Sequence, residues 1–356
     1  MIPTLRVVPF PFESWIMTHL VSLPAGALSR RHLLKAAAIA GLGAPLGLLG
    51  ARALAQGSAK RSFKIAWSPT AVCQSPVSVA LERGFFDKYN IAVERINFSG
   101  STDQLLEAIA TGHADGGIGM ALRWFKPLEQ GFDVKLAVGT HGGCMRLLTP
   151  QGSPIKAVQD LRGKRVAVTD QASPVKNFFA IRVAQLGIDP DEVEWRQFPQ
   201  DLFGEALRKG EVDAVAGDDP LMFILREDNN LVELATNLEN DYADRTCCVL
   251  GLSGKLVRND PDAAAAITRA VIDAQRWTAA NPDESARIFA PHIPSKVPAE
   301  RVAAILRSHT HGHASTGAKL REEVAGYAQH LKQIRVLGAN LDVNKYAAVV
   351  APDVLV

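Results

Sequence analysis

The chain has 356 residues, 47% of them hydrophobic and 21% charged, an ordinary globular balance that argues against wholesale disorder. Its length exceeds the about 100–200 residues of one domain, so two lobes are expected. The formal net charge of +2 lends no support to nucleic-acid binding, and four cysteines are too few for a disulfide scaffold.

The first feature along the chain is Ser29-Arg30-Arg31-His32-Leu33-Leu34-Lys35, followed by a weakly apolar run over residues 36–50. The run is shorter than the about 20 residues a membrane span needs. Paired arginines before such a run read as a twin-arginine export signal, with cleavage expected near Ala55, after Ala53-Leu54-Ala55. Residues 1–55 are therefore taken as a signal region. They contain five Lys or Arg against one Glu, so the remainder carries −2. The expected product is free in the periplasm, with the twin-arginine translocase its partner during export.

Next comes a repeat at an offset of 98 residues. Glu107-Ala108, Gly112, Asp115 and Gly119 match Glu205-Ala206, Gly210, Asp213 and Gly217, and Ser75-Pro76-Val77 matches Ser173-Pro174-Val175. Strand-like runs at 63–67 and 164–168 precede the copies. Strands alternating with helices predict two α/β lobes, each a mostly parallel sheet flanked by helices. Helices are predicted over 104–110 and 203–209, each ending at a glycine, with buried strands at 116–120 and 214–217. Further strands are predicted at 134–138 and 231–235. Extended segments at 144–149 and 246–252 are read as the two crossings between lobes. Beyond Asp260 the pattern is helical, over 261–280, 283–289, 299–308 and 319–334. Asp260-Pro261 and Asn281-Pro282 are each read as a capping side chain before proline. Lobe 1 is assigned to 60–142 and 252–356, including these helices, and lobe 2 to 143–251.

Open parallel sheets bind ligands beyond the carboxyl ends of their strands, so the loops after strands are the candidate site. Ser75-Pro76 and Ser173-Pro174 read as helix starts that either cap only their own helices or offer N–H groups to an oxyanion. Ser99-Gly100-Ser101-Thr102 supplies a third such start. Asp218 and Asp219 pull the other way: a carboxylate in the cleft suits an amine or ring N–H, although one of the two is expected to cap the helix near Pro220.

Several motifs resemble those of the nitrate/sulfonate/taurine-type periplasmic binding proteins of ABC importers, whose relatives include proteins binding thiamine pyrimidine precursors. They are Ser75-Pro76-Val77 with Ala80-x-x-Arg83-Gly84-Phe85-Phe86, then Gly100-Ser101, Gly112-x-x-Asp115, Leu161-Arg162-Gly163-Lys164-Arg165-Val166 and Gly210-x-Val212-Asp213-Ala214. They run through residues 62–310. The resemblance implies a two-lobed type II binding-protein fold that closes on one small polar or anionic solute, such as nitrate, a sulfonate or taurine. The solute would pass to an ABC permease and ATPase. It also implies a pocket lined by Cys73-Gln74-Ser75, Gly100-Ser101-Thr102, Met120 and Ser173. Trp67, His141, Cys144, Asp218 and Cys247 complete the expected ligand-binding set. A monomer is expected, with no catalytic residue, metal or cofactor assigned. The alternative is a protein holding a metal or pyrimidine-type ligand in the cleft, acting as a sensor or as an enzyme related to thiamine-pyrimidine synthesis.

Cys73, Cys144, Cys247 and Cys248 all fall in cleft loops or crossing segments. Disulfides, the default in an oxidising compartment, thiolate metal binding with His141 or Met120, and reduced thiols lining the cleft all remain open. Neighbouring residues of a strand face opposite ways, so at most one of Cys247 and Cys248 is expected to meet a cleft partner. His309, His311 and His313 read either as metal ligands or as a solvated helix end. The sequence contains no Gly-x-Ser-x-Gly elbow, P-loop or His-Glu-x-x-His zinc motif.

Overall fold

The computed structural model describes residues 59–98, 102–239, 242–309 and 314–356. The twin-arginine segment, Gly100, Ser101, His311 and His313 lie outside the described residues.

The first half of the fold contains β1 (Arg61–Trp67), α1 (Ser75–Glu82), α2 (Phe85–Lys88), β2 (Ile91–Asn97), α3 (Thr102–Ala110), β3 (Gly116–Met120), α4 (Ala121–Glu129) and β4 (Val134–His141). The chain then enters β5 (Met145–Pro150), β6 (Arg165–Val168), α5 (Pro174–Gln185), β7 (Glu194–Gln197), α6 (Phe203–Arg208), β8 (Ala214–Asp218), α7 (Leu221–Asn229) and β9 (Leu231–Thr236). It returns through β10 (Cys248–Ser253) and ends in α8 (Gly254–Asn259), α9 (Pro261–Ala280), α10 (Pro282–Phe289), α11 (Ala299–Ser308), α12 (Gly317–Gln333) and α13 (Val343–Val350).

Two five-stranded sheets result, ordered β2-β1-β3-β10-β4 and β7-β6-β8-β5-β9. The two orders correspond strand for strand. In each sheet the one antiparallel strand is the one brought across from the other half: β10 between β3 and β4, and β5 between β8 and β9. β10 pairs along its whole length within the first sheet, whereas the sequence reading divided it at residue 251. Both sheets are mixed and helix-flanked, as the α/β reading requires. The C-terminal helices α9 and α10 pack on α1, and α9, α12 and α13 reach β4. α12 also touches α5 of the second lobe.

The repeated Gly-x-x-Asp has a structural explanation. The Asp115 carboxylate accepts the Lys64 N–H at 2.7 Å, and the Asp213 carboxylate accepts the Arg165 N–H at 2.9 Å. Each aspartate's own N–H returns to the carbonyl of the same partner at 2.8 Å. One aspartate in each lobe therefore ties the entry of the central strand to its neighbour. Gly112 and Gly210 precede these aspartates at φ +80° and +64°, a left-handed turn that L side chains resist. Gly210→Ala meets no atom within 4 Å, so only the backbone preference is lost. The expected cost is about 1 kcal/mol, read from the urea midpoint; an unchanged midpoint would remove the turn from this role.

Two capping expectations divide. The Asp260 side chain accepts the Ala263 N–H and starts α9. Asn281 makes no such bond to α10, because its amide donates backwards to the Trp277 carbonyl at 2.9 Å.

Candidate functional site

The chain crosses between the sheets twice, over residues 142–144 and again between β9 and β10, and the site is built around these crossings. They run close together. A Cβ on Gly143 would stand 2.6 Å from the carbonyl and side-chain oxygens of Asn237. The Asn237 side-chain oxygen accepts the N–H groups of Cys144 at 3.0 Å and Met145 at 2.8 Å, so one buried amide joins the two crossings. Gly143 and Asn237 carry no distinctive local signal in the sequence, because their role exists only where two distant segments meet.

A cavity of about 290 Å³ opens at the carboxyl ends of the strands, lined from the first lobe by Cys73, Gln74, Met120 and Arg123 and from the second by Asp170 and Asp218. Leu105 and Pro174 contribute apolar wall. Arg123 spans the gap: its Nε donates to Asp103 at 2.6 Å and its Nη1 to Asp170 at 2.5 Å. The guanidinium is thus committed to one carboxylate from each lobe. Gln74 donates its amide to the Ile118 carbonyl at 2.7 Å, while its side-chain oxygen is buried without a hydrogen-bond partner. Burial, with the Cys73 sulfur, Asp219 and the Cys247 sulfur nearby, pushes the Asp218 carboxyl up to about 8. Arg123 went unremarked in the sequence; its position four residues after Gly119, at the end of a buried strand, was the available signal.

Asp219 does what one of the paired aspartates was expected to do. Its carboxylate accepts the Phe223 N–H at 3.0 Å at the start of α7. It also receives Arg146 through Nε at 2.9 Å and Nη2 at 2.9 Å, and its Oδ2 lies 2.8 Å from His309 Nε2. Although burial opposes ionisation, His309 and Arg146 hold Asp219 below the usual carboxylate range. His309 is thereby drawn inward to Asp219 and stacks on His141 with ring centroids 5.7 Å apart.

Behind the cavity lies a sulfur-rich cluster. One donor atom each from His141, Cys144, Cys247 and Cys248 falls within 4.8 Å of the others, all buried. The Cys144 and Cys247 sulfurs are 3.9 Å apart, and all four cysteines are free thiols. The expectation that only one of the adjacent pair could join a cleft partner is corrected here. Cys247 precedes β10, which begins at Cys248, so strand alternation does not govern it and both sulfurs enter the cluster. Cys73 links this cluster to the cavity. Hydrogen bonding to Cys248 and then to His141 outweighs burial and lowers the Cys73 thiol to about 6.

The remaining expected residues are dispersed. Trp67 is buried, donates its indole N–H to the Gln74 carbonyl at 3.2 Å and packs beside Phe289 and His292, outside the interlobe cavity's lining. Ser75 lies inside α1, whose N-cap is Gln74, so the paired Ser-Pro steps are not equivalent. Ser173 is the true cap: its hydroxyl accepts the Val175 N–H at 3.2 Å and the Lys176 N–H at 3.4 Å. Thr102 is the first residue of α3.

Three comparisons bear on this arrangement. The family model described as NMT1/THI5 like matches residues 74–285. Binding proteins of Brucella abortus and Brucella suis are 24% identical over 219 residues, which are 61% of this chain and 66% of those relatives. The match thus spans just under two thirds of the relatives' own length. Among solved structures, the periplasmic aliphatic sulphonate binding protein of Escherichia coli superposes with a TM-score of 0.68 at 18% identity, covering 80% of this chain and 91% of that one. The periplasmic nitrate-binding protein of Synechocystis gives 0.64 at 17% identity, covering 82% and 86%. These likenesses show the periplasmic-binding-protein fold. With more than half of its length matched by the family model, the chain belongs to the NMT1/THI5-like family.

Proposed function

We propose that this protein is a periplasmic solute-binding protein, exported through its twin-arginine segment, that captures a small organic molecule between its lobes and delivers it to an ABC permease and ATPase. It binds and releases its solute without transforming it. The observation that carries this reading is the 290 Å³ cavity lined from both lobes beside the two crossings, where hinge closure would enclose a ligand. Relatives in fold bind sulphonates and nitrate, as their names state.

The polar groups of this cavity narrow the class. Its cation, Arg123, is neutralised by Asp103 and Asp170, and the Ser173 cap is spent on its own helix. The Ser68, Thr70 and Thr169 hydroxyls can donate or accept, whereas the Gln74 side-chain oxygen only accepts. The raised Asp218 carboxyl becomes an accepting carboxylate when a cationic N–H group sits beside it. A ligand presenting N–H groups, such as an amine, a zwitterion of the taurine kind or an aminopyrimidine, therefore fits better than a bare anion such as nitrate.

The test is titration calorimetry with a panel of these compounds against nitrate and simple sulfonates. An N–H-bearing ligand is expected to bind. A ligand ammonium beside Asp218 favours the ionised form of its raised carboxyl, so Asp218→Asn should weaken such a ligand about 10–100-fold, since a hydrogen bond to a charged group is worth about 1.5–3 kcal/mol. Selective binding of nitrate, unaffected at Asp218, would overturn the reading.

A further inference from the structure

We propose that His141, Cys144, Cys247 and Cys248 form a four-coordinate site for one zinc ion, which braces the two interlobe crossings. This goes beyond the solute reading and does not depend on it, because metal retention is measured with no organic ligand present.

The donor set is three sulfurs and one imidazole, the Cys₃His composition of closed zinc sites. Zinc–sulfur bonds of about 2.3 Å place tetrahedral sulfurs about 3.8 Å apart, and the Cys144 and Cys247 sulfurs already stand 3.9 Å apart. The spread of 4.8 Å across the four donors requires only small side-chain adjustments for the rest. Burial of all four excludes competing water.

The backbone holds these donors in place without the ion. Cys248 is paired with His141 of β4 and with Met120 of β3. The Cys247 N–H donates to the His141 carbonyl at 2.8 Å, and Asn237 fixes the backbone N–H of Cys144. Nδ1 of His141 lies 3.1 Å from the Gly143 carbonyl; a carbonyl only accepts, so Nδ1 carries the proton and the unprotonated Nε2 would be the metal ligand, in exchange for the hydrogen bond that His141 makes with Cys73. An imidazole held by a carbonyl through its other nitrogen is the usual outer-shell support of a zinc ligand. His141 and Cys144 flank the first crossing, while Cys247 and Cys248 end the second, so one ion would join both. Cys73, the cysteine that lines the cavity, stands beside this set as a fourth thiol.

The experiment uses the full chain, purified anaerobically with reductant, supplied with zinc, desalted and analysed for metal by mass spectrometry. About one zinc per chain is expected. A Cys144→Ser/Cys247→Ser variant should retain less than a tenth of that, while Cys73→Ser retains it fully. Cobalt(II) in place of zinc should give the intense visible bands of a tetrahedral thiolate site. Should the double variant fail to fold, alkylation of the unaltered protein decides the matter: zinc should protect three of its four thiols and leave Cys73 reactive. Zinc lost on desalting while all thiols are free, zinc retained equally by the folded double variant, copper(I) held where zinc is not, or a Cys144–Cys247 disulfide formed under reductant would each overturn the proposal.

Discussion

Replacing Arg146 with methionine is expected to lower folding stability by about 3–5 kcal/mol, the range for removing one partner of a buried ion pair. Arg146 is 2% exposed and Asp219 is 0% exposed. The guanidinium gives three hydrogen bonds of 2.9–3.0 Å to that carboxylate, another to Glu233, and one of 3.1 Å to Ser308 Oγ. Methionine keeps much of the volume but leaves the Asp219 carboxylate buried with only His309 and the Phe223 N–H. The second half of the test is Arg146→Met/Asp219→Asn, which removes both charges while keeping an acceptor for Phe223. That double variant should recover at least half of the loss, because the penalty lies in the unpaired charge and less in the missing contact. Denaturant unfolding of the two variants measures both quantities. A single-variant loss under about 1 kcal/mol would show that the pair contributes little.

Phe289→Ala is expected to cost about 3–5 kcal/mol, the range for truncating a buried phenylalanine. Phe289 ends α10 and is fully buried, meeting the Trp67 ring edge-on at a centroid distance of 6.2 Å. Truncation opens a cavity between the C-terminal helices and β1, where surrounding side chains cannot all close in. Tryptophan emission should shift to longer wavelength as Trp67 loses its cover. A stability loss under about 1 kcal/mol would mean that the C-terminal helices add little to the first lobe's core. The expected result assigns Trp67 to that core, whereas the order of strands and loops had placed it with the ligand.

The division between what was legible and what was not follows the range of the interactions. Alternating strands and helices, the 98-residue repeat and the glycine stops depend on a few neighbouring residues. They disclosed the two lobes, the paired Asp115 and Asp213 and the C-terminal helices. Strand-end logic also located Cys73, Gln74, Met120 and Asp218 at one cavity, because which end of a parallel strand carries the loop is a local property. Ser173 shows the limit of the same reasoning: a serine before proline specifies a helix start, but not whether its hydroxyl serves the helix or a ligand.

Tertiary structure alone decided the rest. Arg123 became an interlobe bridge only when Asp103 and Asp170 approached it from opposite lobes, and Asn237 became the tie between the crossings only once Gly143 passed beside it. The adjacent cysteines escaped the strand rule because β10 begins between them, a boundary set by pairing with β3 and β4. The sequence by itself determined a duplicated α/β chain with a cleft at its strand ends, since periodicity and turn chemistry are read over a few residues. Which side chains converge there, and which are neutralised before a ligand arrives, depends on contacts between residues some 50 to 160 positions apart, such as Arg123 with Asp170 and Arg146 with Ser308; those contacts exist only after the two crossings have brought the sheets together.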